Sequence, residues 1–132
     1  MTELEMAREF FANDKYATDA TGIVIEEVAD KYAKCSLRLD AMHKNAVGNV
    51  MGGVMFTLAD FVFAVSTNRN GQMTVTTVSN ISYISSPKGK VLYGESRCIK
   101  DGRSVCFYDI KITDDLGNLV AVVNTTGNHI NR

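Results

Sequence analysis

The sequence predicts an α+β domain in which a curved antiparallel sheet wraps around one long central helix. Three observations carry this. Residues 52–68, GGVMFTLADFVFAVSTN, are apolar on every side of a helical wheel, the mark of a helix buried in a protein or a bilayer. Four strand-like runs follow it and two precede it, all separated by short turn signals. A sheet of that size needs one face covered, and a helix without a polar side needs cover all round, so one wrapped around the other satisfies both.

Taken in order, residues 3–11 combine helix formers with apolar Leu4, Met6, Ala7, Phe10 and Phe11, and Asn13-Asp14 ends that run. Residues 22–29 and 32–39 are β-rich and meet around Asp30-Lys31, the spacing of a hairpin. Residues 40–51 are turn-like and lead into Gly52-Gly53, a loop feeding a helix N-terminus. The helix is too short, and too interrupted by Thr57, Asp60, Ser66 and Thr67, for a membrane span of about 20 apolar residues. After Asn70-Gly71, residues 73–85, 91–100, 104–113 and 119–127 alternate with Pro87-Lys88-Gly89, Asp101-Gly102 and residues 115–118. That pattern predicts a four-stranded meander.

With 132 residues, 45% of them hydrophobic, the chain has the size of one domain, residues 1–132. A net charge of -1 leaves no electrostatic footprint for nucleic acid, and no basic run suggests a membrane surface. The acidic, amphipathic start differs from a signal peptide, so a cytoplasmic location is expected. Cys35, Cys98 and Cys106 are odd in number and lack metal-ligand spacing, which predicts free thiols and no metal site. His43 and His129 read as surface or loop residues, with no partner at the spacing of a nucleophilic triad.

Asp60 is the one formal charge in the predicted helix. Removing a carboxylate from water costs several kcal/mol unless partners compensate, so an acid kept there needs a reason. Chemistry is the first candidate, and a structural acid is the alternative.

The run His43-Lys44-Asn45-Ala46-Val47-Gly48-Asn49-Val50-Met51-Gly52-Gly53, continued by Leu58-Ala59-Asp60, resembles the signature of the hotdog-fold acyl-CoA thioesterases of the phenylacetate-pathway type. Asn80-Ile81-Ser82-Tyr83, Gly102-Arg103 and Thr126-Gly127-Asn128-His129-Ile130 are similar to later family segments, so the likeness covers the chain from about Gly22 onward. The resemblance implies hydrolysis of an acyl-CoA without a separate cofactor. It makes Asp60 the nucleophile or base, Gly52 the backbone donor to the thioester carbonyl, Asn45 the amide that positions carboxylate or water, and Thr76 a hydroxyl that holds the water. It implies that Gly102 and Arg103, joined by Lys88 and Lys90, meet the coenzyme A phosphates. Met51, Gly53, Phe56 and Phe61 would wall the acyl slot.

Gly52 and Asp60 lie eight residues apart, about 12 Å along a helix axis, too far for one carbonyl to touch both. The site is therefore expected to span two copies of the chain, in agreement with the dimers and dimers of dimers that the resemblance implies. One departure stands out. Relatives usually carry His immediately before the glycine pair, where this chain has Met51, which makes no useful hydrogen bond. That keeps a non-catalytic acyl-CoA binder in play as a second reading. A hotdog dehydratase, which needs a His base for which only His43 is at hand, is a third.

Overall fold

The protein is described by a computed structural model covering residues 1–132. Helix α1, Glu3–Phe11, starts at a capping box in which the Thr2 hydroxyl accepts the Glu5 N–H while the Glu5 carboxylate accepts the Thr2 N–H. One wide π-type turn, Tyr16–Thr21, leads into β1, Ile23–Ala29, and β2, Tyr32–Arg38. A short 3-10 turn, Ala41–His43, and a loop then deliver helix α2, Gly52–Thr67. Four strands complete the chain: β3, Thr74–Tyr83; β4, Val91–Asp101; β5, Val105–Asp114; and β6, Leu119–His129.

All strands pair antiparallel in one six-stranded sheet, in the order β1-β2-β4-β5-β6-β3. The predicted four-strand meander is therefore corrected: β4, β5 and β6 form one, but β3 pairs with β6 and closes the far edge. The segment after β3 passes across the sheet end instead of turning back as a hairpin, and the β5–β6 corner holds it. Asp114 accepts the N–H groups of Lys88 and Gly89 at 2.8 and 3.1 Å, and Asp115 accepts those of Lys90 and Val91. Burial alone would raise the Asp114 pKa, but bonds from Asn118 and from the Lys88, Asn118 and Gly89 amides hold it far below the ordinary carboxylate range.

The concave face of the sheet and α2 make the core. Leu58, Val62, Phe63 and Val65 of α2 are fully buried, as are Leu37, Leu92, Ile110, Ile112 and Val123 of the strands. Close approach depends on two glycines. A Cβ on Gly94 would lie 2.9 Å from the Val62 side chain, and one on Gly127 would lie 2.6 Å from the Phe63 ring. The hydroxyls of Ser66 and Thr67 donate to the carbonyls four residues back, so they sit inside without stranded polar atoms.

The helix is not covered on every side, which corrects a second expectation. Gly53 and Asp60 are exposed and Phe56, Thr57 and Ala64 half-buried, so one stripe of α2 stays open within the chain. The sheet wraps the other faces, and the small residues along this one leave room for another surface.

Both histidines also depart from the surface reading. His43 and His129 are buried, at 4% and 7% exposure. His43 Nδ1 accepts the Asp40 N–H, so its Nε2 carries the proton and donates to the Thr21 carbonyl at 2.8 Å. His129 bridges Thr74 and Asp101, each at 2.7 Å.

Candidate active site

Helix α2 begins without a side-chain cap, because Met51 occupies the N-cap and offers no hydrogen bond. The first-turn N–H groups of Gly52 and Gly53 consequently have no acceptor inside the helix, and they add to the positive end of the helix dipole. Around them lies a hollow of about 330 Å³, bounded by Val50, Met55, Tyr83 and residues 84–87. The Tyr83 ring presses on this helix start: a Cβ on Gly52 would lie 2.8 Å from its hydroxyl oxygen. Gly52 thus combines an unclaimed donor with an approach that no other residue allows.

Asp60 occupies a different hollow, of about 290 Å³, formed by residues 14–17 with Thr57, Phe61 and Ala64. The residue is exposed at the surface, yet the hollow strips water from its carboxyl. That desolvation raises its pKa, and the nearby Asp14 carboxylate raises it further. Asp60 makes no ion pair within the chain, and Lys15, on the wall of the same hollow, pairs with Asp19 instead. A structural acid paired with a buried base is excluded for the chain by itself. The Gly52 and Asp60 hollows share no wall residue.

The Asn45 side-chain oxygen accepts the N–H groups of Val47 and Asn49, both at 3.1 Å. It ties the loop before α2 and leaves the amide NH₂ as its remaining donor. Thr76 is exposed on β3, beside a register shift between Thr76 and Val78. Gly53 and Met51 are exposed, Phe56 is half-buried, and Phe61 is buried with its ring edge-on to Phe11.

The four residues expected at the coenzyme A phosphates fall into two groups. Lys88 and Lys90 join Lys44 around a hollow of about 390 Å³ beside Gly48 and Asn49. Gly102 and Arg103 form the β4–β5 turn, closed by the Gly102 N–H on the Val105 carbonyl at 2.9 Å. The 11 residues of β4 separate the groups by about 33 Å. Within one chain they cannot grip the same diphosphate.

Next to that turn, Asp101 gathers His129, Arg132 and Lys31. Burial works to raise its pKa, but the His129 and Arg132 bonds prevail and lower it. Ligand atoms of Asp101, Cys106 and His129 lie within 4.8 Å of one another. Asp101 and both His129 nitrogens are already engaged, so the cluster works as an ion-pair clasp on the chain end.

Sequence reasoning assigned no role to Tyr83. The run Asn80-Ile81-Ser82-Tyr83 marked its neighbourhood, but only the fold brings its hydroxyl to Gly52.

A curved antiparallel sheet around one helix, with an open helix N-terminus and an acid on the uncovered face, defines the hotdog class. The chain belongs to the thioesterase superfamily, whose profile matches residues 47–121. It is 27% identical to a putative esterase of Archaeoglobus fulgidus over 108 residues, covering 81% of this chain and 70% of the relative. It is 27% identical to the acyl-coenzyme A thioesterase PaaI of Escherichia coli, covering 88% and 83%. Among solved structures, it is similar to a hypothetical thioesterase protein with coenzyme A from Streptococcus pneumoniae. The TM-score is 0.83 and the identity 25%, covering 91% of this chain and 96% of that one. No helix is long and apolar enough to cross a membrane.

Proposed function

We propose that this chain hydrolyses acyl-CoA thioesters to free acid and coenzyme A, at a site shared between two copies. The observation that carries the reading is the separation of two complementary half-sites on α2. Unclaimed Gly52 and Gly53 donors stand at its N-terminus, and a carboxylate of raised pKa stands about 12 Å along its open face. The N–H groups polarise the thioester carbonyl and stabilise the oxyanion that forms on it. Asp60 of the second copy takes a proton from water as the water attacks the carbonyl carbon, and its raised pKa makes it a stronger base. The C–S bond then breaks, and the thiolate leaves as coenzyme A after taking up the proton. Tyr83 offers the thioester the hydrogen bond that Met51 cannot. Asn45, in the loop before the α2 that supplies Gly52, and Thr76, on β3, flank the path of the water.

The dehydratase reading finds no base, because His43 has no free lone pair. The binder reading rests on Met51, and turnover decides it. Coenzyme A release, followed with a thiol reagent, is expected for the wild type and to fall by about 100-fold or more in Asp60→Asn. Tight acyl-CoA binding with no release above blank in either protein establishes the binder instead. The three cysteines are free, and burial, with help from Glu26, pushes the Cys35 thiol up to about 12. Free thiols suit the reducing cytoplasm in which we place the reaction.

A further inference from the structure

Behind the Asp60 hollow lies a larger one, of about 430 Å³, between α1 and the loop that links α2 to β3. Its walls are largely apolar: Met6, Ala7, Phe10 and Phe11 come from α1, and Met73 faces them. Phe10 and Met73 are 61% and 53% exposed, and flexible thioethers adapt to chains of varied shape. Phe11 lines this chamber while Phe61 lines the Asp60 hollow, and their rings meet edge to face with centroids 5.8 Å apart. At that point the two spaces are parted by one aromatic pair.

We infer that the chamber under α1 takes the distal part of the acyl group, so the substrates are medium- and long-chain acyl-CoAs. The inference rests on the thioesterase reading above. With the thioester at Asp60, the chain runs along Ala64 and Phe61, turns the Phe11 ring aside, and ends against Met6 and Met73. The smaller Asp60 hollow has room for a short acyl group, and each added methylene needs the second space to escape water. The roof is anchored from the other side. Arg69 pairs with Glu3 of α1 at 2.9 Å and donates to the Ala29 carbonyl, which holds α1 over the chamber. Every methylene kept out of an apolar site weakens binding by about fourfold. Blocking the chamber therefore penalises substrates by length.

The test compares coenzyme A release from acetyl- to hexadecanoyl-CoA in the wild type, Met6→Trp and Met73→Trp. Both substitutions start from partly exposed residues at the chamber rim. The expected result is a wild-type kcat/KM that rises up to dodecanoyl-CoA, and a dodecanoyl-to-butyryl ratio at least about tenfold lower in either variant. Phe11→Leu, which thins the wall, is expected to raise that ratio. All lengths cleaved with the ratio unmoved by both tryptophans overturns the chamber and leaves the thioesterase reading standing. A second readout is independent of turnover: cis-parinaric acid fluorescence is expected to rise with the wild type and to rise less with Met73→Trp. Coenzyme A release from no substrate overturns the thioesterase reading, and equal parinaric acid signals in the two proteins then overturn the chamber as well.

Discussion

Asp60, proposed above as the base, is also a carboxyl that weakens the fold. Its pKa is raised by desolvation and by Asp14, and it makes no ion pair within the chain. Folding therefore favours its protonated form, and stability declines as pH climbs from the unfolded value of about 3.9 through the raised folded one. Above that window the loss is complete. Asp60→Asn is expected to melt at a higher temperature than the wild type at pH 7, with the gap closing as the pH falls to about 4. A gap that persists unchanged at low pH would mean that charge is not its source. Met51 and Tyr83 form the complementary residue-scale test. Tyr83→Phe is expected to lower kcat/KM by about two- to tenfold, the worth of one hydrogen bond. Met51→His is expected to raise activity and to restore part of that loss in the Tyr83→Phe background. A Met51→His enzyme slower than the wild type would remove the argument that the missing imidazole matters.

Among the elements, the passage from β3 to β4 is held by two adjacent side chains, Asp114 and Asp115. Asp114 accepts two N–H groups of the crossing segment as well as the Asn118 amide, and those bonds depress its pKa against the opposing effect of burial. The sign is opposite to that at Asp60. Its stabilisation is complete above the unfolded pKa of about 3.9 and fades as pH falls through the depressed folded value. Asp114→Asn sets an amide donor against N–H groups, so it is expected to lower the melting temperature at pH 7, and by progressively less below about pH 4. The same element marks where local patterns stop informing. Helix α2 and the strands were legible because their periodicity is local. The crossing was not, because Pro87-Lys88-Gly89 looks like a hairpin turn until the Asp114 and Asp115 bonds, about 25 residues onward, are in view. His43 was misread for a similar reason, as its burial depends on the distant Thr21 carbonyl. A glycine pair and a lone acid single out Gly52 and Asp60 in the sequence, and the structure sets them in separate hollows. Tyr83 is not singled out, since its place at Gly52 follows from the fold.

For the whole molecule, the decisive asymmetry lies between the two edges of the sheet. Strand β1 is guarded: a register shift between Ile25 and Glu27 kinks it, and Arg8 of α1 claims the Ile25 carbonyl at 2.9 Å. Strand β3 has ten residues, only one of them buried, and exposes Val75, Val78 and Tyr83. A long open edge of this kind, with apolar side chains between its hydroxyls, is a template for pairing with another chain. Two copies joined along β3 by a two-fold axis would be equivalent, so a contact that brings Gly52 of one toward Asp60 of the other forms two identical sites. This arrangement predicts complementation between two inactive proteins. Asp60→Asn homodimers lack the carboxylate at both sites, and in Gly52→Val homodimers a side chain crowds the helix N-terminus at both sites, whereas their heterodimer has one site with an intact Gly52 end and an intact Asp60. Random reassortment makes half the dimers heterodimeric, so co-refolded equal amounts are expected to regain about a quarter of wild-type activity. Val78→Lys, placed on the β3 edge to disfavour pairing, is expected to yield a folded monomer by light scattering and circular dichroism, with activity lost. If each chain carried a complete site, the mixture would stay at background and the Val78→Lys monomer would remain active, because neither protein would have needed its neighbour.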